Sequence, residues 1–261
     1  MPPEAVQRWR DRRGAWRPAS ELIQASRYTV APIERTAAAA FVEAHHYSGS
    51  YVASRLQVGL HDGARLVGVA AFSVGVQPRA MPRWCGVAQA EGIELGRFVL
   101  LDEVPGNGET WFLARSFAAL RAELPEVRAV LSYSDPVPRA AHDGRVVMPG
   151  HIGVIYQAHN GRYLGRGSAR SIWLDRSGRV VSRRTLDKVL SGDRGQAAAV
   201  DELVRLGAPR PGTADPRAWL PLALRATCRQ VRHPGNHVYA WPLDRSAALA
   251  EAQPYPRRGA A

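Results

Sequence analysis

His45-His46-Tyr47 sets two imidazoles and a phenol side by side just after an alanine-rich stretch, and Asp135 stands ahead of Pro136 after Ser132-Tyr133-Ser134. Imidazole, phenolate and carboxylate form a hard-to-borderline ligand set that suits iron and leaves coordination positions open. The same groups also work without metal. Asp135 can take a proton from an exocyclic amine of low basicity while His46 or Tyr47 orients it. The plain alternative is a histidine and a tyrosine closing a helix, with the aspartate bonding backbone amides ahead of the proline. Neighbouring side chains leave a helix end in different directions, so His46 is preferred over His45 as the one that faces a site.

A second feature is the turn Pro105-Gly106-Asn107-Gly108, which follows an apolar run and leads into a helix starting at Glu109-Thr110. Backbone amides at such a start can hold a pyrophosphate. Alone, it is a weak motif and reads first as a plain strand-to-helix turn. The chain has neither Gly-x-x-x-x-Gly-Lys-Ser/Thr nor a Gly-x-Gly-x-x-Gly fingerprint after a first strand. His151 and His159 are read as solvated helix histidines, with phosphate binding as the alternative. Cys85 and Cys228, the only cysteines, lie far apart without metal-type spacing and are read as structural.

The elements that must position these groups follow from periodicity. Strands are expected at 28–33, 56–60, 66–74, 92–102 and 128–132, with turn chemistry at His61-Asp62-Gly63-Ala64 joining the second and third into a hairpin. Helices are expected at 34–44, 109–123 and 151–159. Strands at 171–174 and 179–182 are expected to complete the sheet. Residues 185–206 read as helix interrupted at 192–195, Pro209-Arg210-Pro211-Gly212 as a linker, and 237–241 as a last strand. The section with Pro78, Pro82 and Trp84 reads as looser chain. The implied domains are a basic arm at 1–26, a catalytic domain at 27–184, and a C-terminal helical extension with the final strand, packed on the core, at 185–261.

Composition narrows the partners. The chain of 261 residues carries 35 basic against 23 acidic side chains, a net charge of +12 that favours phosphate-rich partners. Lys188 is the only lysine. Arginine's planar fork suits phosphate and base edges, and an arginine bias also follows from a GC-rich genome. Arginine groups at 162–170, 176–184 and 225–232 read either as phosphate tracks or as solvated faces. Five arginines with Trp9 and Trp16 make 8–17 an arm suited to tracking a nucleic-acid backbone, or a charged end packed on the surface. No apolar run is long enough to span a membrane, and the start lacks the pattern of a secretory signal, so a cytoplasmic setting is expected.

The order strand, helix, hairpin, long strand, glycine turn, helix, strand and short tyrosine-bearing helix resembles the GCN5-related N-acetyltransferase fold, an α/β fold with a mixed central sheet flanked by helices. That resemblance implies acetyl-CoA, or a related CoA thioester, held along Phe98, Val99 and Leu100 and the turn Gly106, Asn107, Gly108, Glu109 and Thr110. It also implies Tyr156 as the phenol that protonates the leaving thiolate, a step between groups of similar basicity. The sequence departs from the family's Arg/Gln-x-x-Gly-x-Gly/Ala loop.

Five ordered motifs carry a narrower resemblance: His45-His46-Tyr47-Ser48-Gly49, Glu94-Leu95-Gly96-Arg97, Trp111-Phe112-Leu113, Ser132-Tyr133-Ser134-Asp135 and Gly150-His151-Ile152-Gly153-Val154-Ile155-Tyr156-Gln157-Ala158. Over residues 37–165 these are similar to the Mom family of phage proteins, which convert DNA adenine to its N6-methylcarbamoyl form and shield phage DNA from restriction. The resemblance implies His46, Tyr47 and Asp135 as the catalytic group and as ligands of Fe(II), with Arg97 on the cofactor side. It implies double-stranded DNA as substrate, in the host cytoplasm, with no membrane partner. Acetyl transfer leaves a carbonyl on nitrogen whereas methylcarbamoylation leaves a methylene, so the family's product needs a further rearranging or oxidative step. A base modified at N6 must leave its stack, and Tyr51, Trp84 and Tyr133 are candidates to bury it. Competing readings keep the fold for an N-acyltransferase acting on a small amine, a tRNA or a protein, or make the chain a non-catalytic basic DNA-binding module.

Overall fold

The computed structural model describes residues 21–75, 77–192 and 194–257 in full and the backbone of two further strands, β1 (Ala5–Trp9) and β2 (Gly14–Pro18), which pair antiparallel. The side chains of the arginine- and tryptophan-rich arm lie outside the described residues. The chain forms two compact units. The first comprises residues 1–136, 151–167 and 236–261, and the second 137–150 and 168–235.

The first unit opens with β3 (Tyr28–Pro32) and α1 (Arg35–His45), then the hairpin β4 (Ser54–Asp62) and β5 (Arg65–Ser73). Arg27 pairs with Asp62 beside that turn. The short helix α2 (Ala80–Cys85) precedes β6 (Gly92–Leu100), followed by α3 (Gly108–Glu123) and β7 (Ala129–Ser134). After the excursions that build the second unit come α4 (Val154–Ala158), β10 (Arg162–Arg166) and β13 (His237–Pro242). One seven-stranded sheet results, in the order β10-β13-β7-β6-β5-β4-β3. Every neighbouring pair is antiparallel except β6 and β7. This is the mixed α/β sheet flanked by helices that the element order predicts.

Alternation along the strands gives the sheet two apolar faces. Leu56, Val58, Phe72, Ile93, Val130 and Trp241 bury against Phe112, Leu113, Phe117 and Leu120 of α3. On the other face Val69 and Val99 meet Phe41 and Val42 of α1, while Leu131, Val238 and Ala240 meet Met81 and Cys85 of α2. Cys85 is fully buried and its thiol is pushed up to about 12 by desolvation, which suits a packing role.

The second unit comprises β8 (Arg139–Ala140) and β9 (Val146–Met148), then β11 (Arg170–Asp175), α5 (Arg183–Ser191), α6 (Gln196–Arg205), α7 (Pro216–Thr227) and β12 (Cys228–His233). Val189, Leu203, Trp219, Leu220 and Leu224 give it a core of its own. Here the structure departs from the sequence expectation. The strand at 171–174 lies in β11 and pairs with β12, not with the main sheet, which β13 and β10 complete instead. The expected strand at 179–182 shrinks to one bridge, Leu174 to Val180, because Ser182 caps α5 by accepting from the Thr185 amide at 3.0 Å.

Candidate active site

The organising feature is the junction of β6 and β7. They pair in parallel only over 92–94 and 129–131, although β6 runs to Leu100 and β7 to Ser134. Beyond Glu94 the two strands part. Ser132 bridges the start of the opening, its hydroxyl donating to the Leu95 carbonyl at 3.0 Å. Residues 97–100 stay paired with β5 on one side and, among the described residues, have no strand partner on the other.

Tyr156, on α4, is buried at this opening, in reach of the Ser132 hydroxyl and of the charges on Glu94 and Arg97. Desolvation raises its phenol above the ordinary range, with Ser132 and Arg97 opposing the shift, so it holds its proton at neutral pH. Its ring packs on Tyr239 and Trp241 at centroid distances of 5.4 and 5.7 Å.

His46 caps α1 at its C-terminal end, its amide donating to the Val42 carbonyl at 2.8 Å. The Ser48 amide donates to its Nδ1 at 3.1 Å, which fixes that nitrogen as an acceptor and leaves the proton on Nε2. Desolvation, then Arg97 and His151, lower the imidazole from 6.5 to about 3. Tyr47 lies against it with ring centroids 4.1 Å apart, and stands edge-on to His151 at 6.1 Å. His45 turns instead to Phe41, at 4.6 Å, as the helix-end geometry predicts.

Arg97 joins the stretch around residue 46 to β6. Its guanidinium donates to the Ser50 carbonyl at 2.9 Å, to the Ser50 hydroxyl at 3.1 Å and to the Gly96 carbonyl at 2.7 Å. It is also within electrostatic reach of Tyr47, Glu94 and Tyr156. Asp135 follows β7 directly; its carbonyl accepts from the His151 amide at 2.8 Å, and its carboxylate opposes the lowering of His151. Five expected residues, His46, Tyr47, Arg97, Asp135 and Tyr156, therefore meet around the β6/β7 opening. His151 and Glu94 join them.

His151 corrects the sequence expectation. It lies before α4, not on its solvated face, and burial lowers it to about 4. His159 is likewise no solvated histidine, since it packs edge-on against Phe117 at 5.3 Å. Sequence spacing holds no signal for either, because what α4 packs on comes from strands far away in the chain. Of the expected base-stacking residues, Trp84 and Tyr133 pack on the α2 side of the sheet and Tyr51 on the α1 side, where its hydroxyl lies 2.9 Å from that of Ser54. Tyr47, not one of these three, joins Tyr156 as an aromatic at the opening.

The expected cofactor residues divide in two. Val99 and Leu100 are buried and Phe98 stacks on Phe112 at 5.4 Å, so their side chains serve packing while the open strand edge offers amides and carbonyls suited to a pantetheine chain. At the turn, Asn107 adopts the left-handed conformation (φ 61°) and begins α3. A Cβ on Gly108 would fall 2.5 Å from Val104 Cγ1, so this glycine answers first to packing. Its amide donates to the Pro105 carbonyl at 3.2 Å, and the Thr110 hydroxyl to the Asn107 carbonyl at 3.2 Å. Glu109 puts a carboxylate in the first turn of α3, where it competes with an incoming anion. The edge thus fits a CoA thioester better than the turn does.

The iron set finds no such support. Among the described residues no group of three His, Cys, Asp or Glu side chains converges on a metal position. The Arg97 cation also faces both His46 and Tyr47.

Among the described residues no helix is long and apolar enough to cross a membrane. Among solved structures, a tandem GNAT protein from the clavulanic acid biosynthesis pathway, determined without acetyl-CoA, aligns over 84% of this chain and 99% of its own at 8% identity and a TM-score of 0.42, too distant for residues to be carried across. The methylcarbamoylase mom of Escherichia phage Mu is 29% identical over 119 residues, 45% of this chain and 45% of that protein, so the chain matches under half the length of that relative. The Mom protein family matches residues 27–206, from the start of the sheet through α6. With more than half of its length matched, this chain belongs to the Mom protein family.

Proposed function

We propose that this chain is a transferase that modifies an exocyclic amine of a base in double-stranded DNA, with adenine N6 as the acceptor. The amine loses a proton and takes the acyl group of a CoA thioester, the carbon–sulfur bond breaks and CoA leaves as its thiol. A methylcarbamoyl-type final adduct would need a separate nitrogen donor and a rearranging step after this transfer. One observation carries the reading: in a chain of the Mom family, His46, Tyr47, Arg97, Asp135 and Tyr156 gather where β6 and β7 part. Such a modification would hide DNA from restriction enzymes.

The donor supplies a carbonyl activated for attack. Residues 97–100 would hold its pantetheine arm by backbone hydrogen bonds, as one more strand at the open edge. Tyr156, protonated and buried, holds the proton that a departing thiolate takes, and Ser132 keeps the phenol in place. His46 presents Nε2–H as a neutral donor, suited to a carbonyl oxygen gaining negative charge. Asp135 is the carboxylate that would accept the amine proton. Arg97 ties the loop after His46 to β6 and so keeps the two halves of the site in register.

Phosphate binding is assigned to the second unit. Its 82 residues carry 15 basic and 7 acidic side chains, a net +8 of the chain's +12. Exposed Arg176, Arg179, Arg184, Arg217, Arg225 and Arg232 lie on the turn after β11, on α5, on α7 and on β12. Counterion release by such residues provides affinity without sequence preference. The test is consumption of acetyl-CoA by purified protein with plasmid DNA, with tRNA, and with small amines. Consumption that depends on DNA and is lost in Asp135→Asn supports the reading. Consumption driven equally by tRNA or a free amine overturns its substrate.

A further inference from the structure

After β13 the chain continues without regular structure through residues 243–257 and rounds the edge of the sheet. It first runs along the α2 face, where Leu249 and Ala250 pack on the cluster of Met81 and Cys85 and the Ala250 amide donates to the Trp84 carbonyl at 2.9 Å. It then crosses β10, the outermost strand, with the Gln253 amide donating to the Tyr163 carbonyl at 2.8 Å. Gly165 in that strand has φ 97°, and a Cβ there would meet the Gln253 side chain at 2.8 Å, so the crossing is close. On the other face the Tyr255 ring lies against Tyr239 at a centroid distance of 6.5 Å, and the Pro256 carbonyl stands 3.5 Å from the Gln157 side-chain nitrogen. Tyr239 is fully buried whereas Tyr255 is 44% exposed, so the segment is the outer cover at this place.

Beneath it lies the turn that brings Tyr156 to the β6/β7 opening. α4 has five residues, too few to hold their shape by their own hydrogen bonds. Gln157 supplies support from outside: its side-chain amide donates to the Ile152 carbonyl at 3.0 Å and to the Tyr239 hydroxyl at 2.9 Å. The Tyr239 hydroxyl in turn donates to the Ile152 carbonyl. Burial pushes this phenol up to about 12, so it keeps the proton it donates. Gly153 (φ 74°) brings the turn so near that a Cβ would meet Tyr239 at 2.6 Å, and the Tyr156 ring packs on the same tyrosine at 5.4 Å. Tyr239 thus touches the turn before α4, the helix and the covering segment. We propose that residues 253–256 are a clasp that acts through Tyr239 and Gln157 to hold Tyr156 at the opening, which makes Gln157, Tyr239 and Tyr255 positioning residues for acyl transfer. This rests on the proton-donating role proposed for Tyr156. Tyr239 and the clasp lie beyond residues 27–206, so they extend the site past the stretch matched by the Mom protein family.

Hydrogen exchange of the full chain, followed by mass spectrometry, reads the clasp without requiring activity. In Tyr255→Ala, and in Tyr239→Phe, which keeps the ring and deletes the hydroxyl, amides 154–161 should exchange about tenfold faster while those of β4 and β5 stay at the parent rate. Tyr255→Phe should match the parent, because the ring makes the contact. In DNA-dependent consumption of acetyl-CoA, kcat should fall about tenfold in the first two variants with KM for DNA within about twofold, and Tyr255→Phe should restore it. Unchanged exchange at 154–161, or faster exchange throughout the sheet, would overturn the clasp. A loosened α4 with kcat intact would overturn the positioning role and leave the proposed reaction standing. Faster exchange confined to 154–161 in a protein that transfers nothing to DNA would sink the proposed reaction while leaving the clasp on α4 in place.

Discussion

His46 and His151 are kept neutral chiefly by burial, and this has a signature in pH. Their folded values are about 3 and about 4, against 6.5 for an unburied imidazole. As pH falls below 6.5 the unfolded chain binds protons first, so stability present above that value is lost as pH drops towards 4. Urea midpoints should decline across this window, and the double variant His46→Gln with His151→Gln should flatten the decline. A midpoint independent of pH in the parent protein would contradict burial of these rings. Tyr156→Phe removes a proton donor and little volume, and should lower the rate of transfer at least about 100-fold with a smaller effect on DNA affinity. Residue chemistry was legible where side-chain types cluster in sequence, as at His46-Tyr47. Glu94, Ser132 and His151 were not legible as site residues, because their proximity arises only from the parting of β6 and β7 and from the chain's return to the sheet in α4.

Among the elements, the turn before α3 separates packing from ligand binding. Gly108→Ala forces Val104 to move and should cost about 1–3 kcal/mol in urea denaturation. Asn107→Gly, which keeps the left-handed turn, should cost far less. Equal stability of the two variants would refute the packing role of Gly108. The hairpin β4/β5, the long strand β6 and the amphipathic α3 follow from their own periodicity and turn residues, so local sequence sufficed. α2 and α7 did not, because each contains proline. Pro82 lies within the first turn of α2 and Pro216 opens α7 behind the Asp215 cap, where the missing amide costs least, while Pro221 stands inside α7 and masks its helical pattern. Asp215-Pro216 was a readable start signal outweighed by the turn chemistry of 209–212. β12, with Arg229 and Arg232 at exposed positions, lacks the apolar alternation that marks β4.

For the molecule as a whole, charge is uneven: the second unit carries twice the net charge of the first in less than half its length. Reversing Arg217, Arg225 and Arg232 together should weaken binding to any DNA sequence and flatten the salt dependence by about one unit of slope for each phosphate no longer neutralised. The same reversal on the first unit should do less. Net charge was legible from composition, but its concentration in one unit was not, because that unit is assembled from two separated stretches of chain. The proposed modification of DNA is tested most directly by nucleoside mass spectrometry of plasmid DNA from cells expressing the protein beside cells expressing Asp135→Ala. A deoxyadenosine derivative of higher mass is expected in the first and its loss in the second. Unmodified deoxyadenosine in both would contradict the proposed modification.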